Sequence, residues 1–131
     1  MKEIIVTDKA PKAIGPYSQA VKVDTFATSY VVFTSGQLPV DPATNNMVKG
    51  GIKEQTEQVI KNLIAVLEAS GADLESVADV MVLLADINDF AAMNEVYRQY
   101  FAQDCPARVA FQAAALPLGA KVEIRAIAFT E

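Results

Sequence analysis

Arg108 and Glu123 are the two residues whose chemistry stands out, because each sits inside a strongly apolar run near the end of the chain, over 107–113 and 121–129. An ionised group in such a setting is costly unless it is paired or works on a ligand. A guanidinium presents a planar fork to a carboxylate, and a carboxylate can take a proton from water. The two are the candidate site, and the rest of the chain is what holds them. The same pattern also describes a solvated or ion-paired strand face, which Arg125, two positions beyond Glu123, would share.

The rest of the inventory narrows the chemistry. The chain has no histidine, which removes the Ser-His-Asp and Cys-His arrangements and the commonest zinc ligand. Catalysis then falls to carboxylate, tyrosine, arginine, hydroxyl groups and water, with no metal and no cofactor expected. The balance of 11 basic against 16 acidic residues, net −5, argues against nucleic-acid binding, which needs clustered cations against phosphates. A single cysteine, Cys105, excludes an intrachain disulfide and fits a reducing, cytoplasmic compartment. Lys2 and Glu3 run into Ile4, Ile5 and Val6 without a long apolar core, so no signal peptide is read. No apolar run approaches the roughly 20 residues of a membrane span.

These residues need a scaffold, and 131 residues with 52% hydrophobic content fit one domain over 1–131. A short strand is expected at 2–6. The Ala10-Pro11 and Gly15-Pro16 steps then impose an extended path, because proline fixes φ and restricts the residue before it. Tyr17 opens a strand over 17–23, and 30–34 forms its hairpin partner across a loop at 24–29. Residues 39–51 read as a polar loop rich in Pro, Asn, Asp and Gly.

The spacing of Ile52, Thr56, Val59, Ile60, Leu63 and Leu67 predicts a helix over 52–70, stopped by Gly71. A strand at 77–85 is apolar on both faces from Val80 onward. A second helix, about 90–102, is capped by Asn88 or Asp89 and carries the stripe Phe90, Met93, Val96, Tyr97, Tyr100 and Phe101. The closing runs read as a hairpin about Pro117 and Gly119. In that register Arg108 faces residue 127, four residues or ~13 Å along the strands from Glu123. The order defines an α+β protein with one sheet and both helices on one face. The other face lacks a cover within the chain, and a further copy of the chain is the natural supply.

Four segments carry a resemblance: AIGPYSQAV (13–21), FTSGQLPVDP (33–42), DINDFAAMNEVY (86–97) and PARVAFQAAALPLGAKVEIRAIA (106–128). Together they resemble the RidA/YjgF family, also known as endoribonuclease L-PSP. The resemblance implies the chorismate-mutase-like α+β fold and a homotrimer whose sheets form a central barrel. It implies hydrolysis of 2-iminobutanoate, 2-iminopropanoate and related enamine or imine acids, such as 2-aminoacrylate, to 2-keto acids and ammonia, without a cofactor. It assigns Arg108 to the substrate carboxylate, Glu123 to the attacking water, and Tyr17 to the catalytic set. Ser35, Gly36, Phe90, Met93 and Asn94 would line the pocket, with further contacts from the backbone at Val109 and Ala110. The partners implied are a small imino or keto acid and copies of the same chain.

This sequence departs from the family pattern at three places. Ala110 stands where many relatives have a cysteine, Arg125 stands where a second acid is common, and the 24–29 loop is longer. Two other functions remain as readings: a keto-acid-binding regulator without turnover, and a ribonuclease.

Overall fold

The computed structural model describes residues 1–131. Ten elements follow in order: β1 (Lys2–Ile5), β2 (Ala20–Asp24), β3 (Tyr30–Thr34), β4 (Val40–Asp41), β5 (Asn46–Met47), α1 (Ile52–Ala69), β6 (Val77–Leu84), α2 (Phe90–Tyr100), β7 (Ala107–Gln112) and β8 (Val122–Thr130). Six strands make one sheet in the order β1-β2-β3-β8-β6-β7, and β4 with β5 forms a small ribbon inside the expected polar loop. The architecture is mixed α+β, with one main sheet and two α-helices.

The helices begin and end where local chemistry dictates. At the start of α1 the Glu54 carboxylate accepts from the Gly51 amide at 3.1 Å. At its end Ala72 donates back to Leu67 O and Gly71 to Glu68 O, with Gly71 at φ +82, a C-terminal closure that favours glycine. Asp86, rather than Asn88 or Asp89, supplies the side-chain cap ahead of α2, accepting from the Asn88 amide at 2.9 Å. The short turn Ile87–Asp89 then leads into the helix.

Alternation splits the sheet into two unlike faces. Val32, Val80, Val82, Leu84, Val122, Ile124, Ala126 and Ala128 are buried in one core with Val59, Ile60, Leu63 and Leu67 of α1 and Met93, Val96 and Tyr97 of α2. On the opposite face Phe33, Val109, Phe111 and Phe129 remain 43–53% exposed. The apolar alternate face of β6 is therefore left without cover in the protomer, as its sequence suggested.

The expected pairing of the last two strands fails. β7 and β8 are not a hairpin: β7 pairs with β6 in parallel, β8 pairs with β6 antiparallel, and β6 lies between them. Helix α2 carries the chain from β6 across to β7, the usual connection for parallel neighbours. The chain then passes Pro117–Gly119 and returns on the far side of β6. The most apolar strand takes a flanked position and leaves β7 at the edge. The strand expected from residue 17 starts only at Ala20. No helix is long and apolar enough to cross a membrane.

Candidate functional site

Glu123 projects from the uncovered face of β8. Its register partner is Leu83, which in turn pairs with Phe111. Beside it the segment 35–38 is clipped to β8, with Gln37 N donating to Ile124 O at 2.8 Å and Ile124 N to Gln37 O at 3.2 Å. That clip brings Gly36 against the carboxylate. A Cβ at Gly36 would stand 2.0 Å from Glu123 Oε2, well inside contact distance, so only glycine leaves the carboxylate this place. Burial pushes the Glu123 carboxyl above its ordinary value of 4.5.

Tyr17 and Ser35 line the same hollow, beside a segment that one buried side chain ties down. Gln19 is 4% exposed; its amide donates to Ala10 O and Pro11 O, and its oxygen accepts from Thr7 N. This ties down the irregular, proline-bearing segment. Ser35 N donates to Gln19 O, and Ser35 Oγ donates to Ser18 O. Tyr17 Oη accepts from Ile14 N at 3.2 Å, which leaves its own proton free to donate. Ile14, Tyr17, Ser35, Gly36, Leu38, Pro117 and Glu123 wall one hollow.

Arg108 lies elsewhere. Its register partner Val80 pairs with Ala126, both wholly buried beneath the helices, so Arg108 leans to the helix side of edge strand β7. Nη1 donates to Asn94 Oδ1 at 2.8 Å. The guanidinium carbon sits 4.7 Å from the Tyr97 ring centroid and 5.4 Å from that of Phe90. These contacts fix the fork's plane. Asn94, Tyr97, Arg98, Cys105 and Arg108 share this second recess.

Two expected pocket residues are placed differently. Met93 is 0% exposed and belongs to the core under α2, because its turn of the helix faces the sheet. Val109 turns its side chain to the uncovered face, and its peptide groups are spent on β6. Ala113 N donates to Leu84 O, and strand alternation then directs the groups of Val109 and Phe111 to β6 and those of Arg108 and Ala110 to the free edge. Tyr97 went unnoticed in sequence as one member of an apolar stripe. Its hydroxyl is buried without a hydrogen-bond partner, and burial raises its pKa despite the neighbouring Arg108.

The decisive geometry is the separation of the two charges. They lie on opposite faces of one sheet, two strands apart and three residues out of row. That is about 14 Å between Cα atoms at ordinary strand spacings. No small acid can touch both within one protomer.

Fold and site define a class: a small α+β domain with helices on one face, an apolar second face, and a carboxylate and an arginine held in separate recesses. Comparison with known proteins gives the family. The family model described as Endoribonuclease L-PSP matches residues 7–130. A RutC family protein of Pyrococcus abyssi is 54% identical over 130 residues, covering 99% of this chain and 98% of its own. The 2-iminobutanoate/2-iminopropanoate deaminase of Capra hircus is 52% identical over 128 residues, 98% of this chain and 90% of its own. The crystal structure of RidA from the Antarctic bacterium Psychrobacter sp. superposes with a TM-score of 0.90 at 46% identity, covering 98% of this chain and 99% of that one. The chain belongs to the RidA/YjgF (endoribonuclease L-PSP) family.

Proposed function

We propose that this protein is a cofactor-independent deaminase that hydrolyses 2-imino acids to 2-keto acids and ammonia. Its sites form between subunits of a homotrimer whose apolar sheet faces meet. The observation that carries the reading is the placement of Arg108 and Glu123 on opposite sheet faces, each with its own supporting residues. A site that needs both must take one from each of two copies, and the uncovered face beside Glu123 is where a copy would pack. Relatives at about half identity that carry the deaminase name support the chemistry.

In this reading Arg108 of one subunit grips the substrate carboxylate with its planar fork. Glu123 of the next holds a water over C2 and takes its proton as oxygen adds to the C=N carbon. The resulting carbinolamine carries nitrogen that must leave as ammonia. The imine enters protonated on nitrogen, so addition leaves a neutral carbinolamine. Glu123 returns its proton to that nitrogen. As the C–N bond breaks, the hydroxyl proton passes back to the Glu123 carboxylate and the carbonyl forms. Tyr17 donates a hydrogen bond at the reacting centre. An imino acid is already electrophilic at C2, so the residues present suffice. The net charge of −5 weighs against RNA as a substrate.

The direct test is to generate 2-imino acids in solution and follow ammonia and keto-acid release beside a protein-free control. A rate equal to the control, with keto acid still bound, would assign the cleft to ligand sensing without turnover.

A further inference from the structure

The hollow at Glu123 does not end at Tyr17. Ile14, Tyr17, Gly36 and Leu38 also wall a second recess that continues from it, with Pro11, Val40 and Leu118 beyond. This recess measures about 280 Å³. A cavity of about 150 Å³ already accepts a benzene ring, so there is room for far more than the one- or two-carbon side chains of iminopropanoate and iminobutanoate. Its polar members are mostly committed elsewhere. The Gln19 amide is spent on Ala10 and Pro11, and Gln37 Nε2 on Ser35 O at 3.3 Å. Lys12 and Asn45 are exposed at the rim.

Leu118 is the unusual wall. It lies in the left-handed region, φ 59 and ψ 19, a conformation that disfavours a branched side chain and suits glycine or asparagine. The residue is 66% exposed in the protomer, so core burial does not account for a leucine there. What the residue does touch is the recess. Non-glycine residues held in sparse backbone regions concentrate at ligand sites.

We infer that this recess takes the substrate's side chain and that Leu118 selects for it. The protein then favours imino acids with uncharged side chains of leucine or methionine size over those with one or two carbons. The inference rests on the deaminase reading for its reaction. The pose follows from continuity: with C2 beside Glu123, the substituent has Gly36 and Tyr17 as neighbours and the recess beyond them.

The experiment compares imino acids generated from alanine, leucine and glutamate with wild type and Leu118→Gly. Glycine suits the backbone at 118, so this variant removes the side chain without threatening the fold. Wild type should show kcat/KM at least roughly tenfold higher for the leucine-derived imine than for the alanine-derived one. In Leu118→Gly that ratio should fall to within roughly threefold of unity, with the larger loss on the leucine-derived imine. A wild-type ratio at or below one, or a ratio unmoved by the variant, overturns the inference. Preference for the glutamate-derived imine also overturns it, by giving the recess to a second carboxylate facing Lys12. Calorimetry with 4-methyl-2-oxopentanoate and pyruvate makes the same comparison without turnover. If no imine is hydrolysed above the control, the deaminase reading fails, and the binding ratio still decides what the recess holds.

Discussion

The carboxylate of Glu123 lies directly over Gly36, close enough that a Cβ on Gly36 would stand 2.0 Å from Oε2. The obstructing atom would meet the mobile end of a side chain, not backbone, so the fold can absorb an alanine by turning Glu123 aside. Gly36→Ala should therefore leave thermal stability almost unchanged while imine hydrolysis falls roughly 10²-fold, as for loss of a general base. Circular dichroism melting beside the coupled assay separates the two effects. Normal turnover in a folded Gly36→Ala protein would show that the carboxylate does not work from this position.

The pH dependence follows from the same setting. Burial raises the Glu123 carboxyl above 4.5, because the charged form loses hydration. A general base works only when ionised, so activity should rise with pH and the acid limb should lie above 4.5. Glu123→Gln removes the titrating group, and its small residual activity should lack that limb. A limb at or below 4.5 in wild type would mean that the carboxylate meets a more polar setting than burial gives it.

Much of this was legible in the chain and some was not, for identifiable reasons. Helical periodicity placed α1, and the doubly apolar run placed β6, each within a residue of its observed end. Both signals are local. The Leu-Pro-Leu-Gly segment does announce a turn, but a turn does not say which strands it joins. Pairing is decided across the sheet, and β6 outcompetes β8 as the neighbour of β7. With the hairpin goes the assumed spacing of Arg108 and Glu123 along adjacent strands. Periodicity put Met93 in the apolar stripe of α2, and it is buried in the core; the resemblance grouped it with Phe90 and Asn94, and only those two flank Arg108. A stripe on a helix marks a side, and only the packed neighbour decides which members stay at the rim.

Arg108 is held by three partners that lysine cannot satisfy together. Nη1 donates to Asn94 Oδ1, and the planar group lies over Tyr97 with Phe90 beside it. An ammonium keeps the charge but is a compact point without a fork. Arg108→Lys should weaken keto-acid binding by roughly tenfold or more, measured by calorimetry, because bidentate contact is lost. Glu123→Gln should leave that affinity within a few fold, since its partner is the water. Equal affinity in wild type and Arg108→Lys would remove Arg108 from the carboxylate site.

The separation of Arg108 and Glu123 yields the sharpest test, because it makes a numerical prediction about mixtures. Each charge sits in its own recess, and the two lie on opposite faces of one sheet. If Arg108 comes from one subunit and Glu123 from its neighbour, neither Arg108→Ala nor Glu123→Gln alone contains an intact site. Co-expressed in equal amounts and free to assemble at random, the two variants restore one. An intact site needs the first subunit to carry Glu123→Gln, so that its arginine is native. The second must carry Arg108→Ala, so that its glutamate is native. Each condition is met half the time, so about a quarter of wild-type activity should return, averaged over all the randomly assembled cyclic oligomers in the sample. Light scattering on the same sample should give three times 14.1 kDa. Sites built within single chains would stay at the level of the separate variants at every mixing ratio, and a stable monomer at micromolar concentration would remove the shared site altogether.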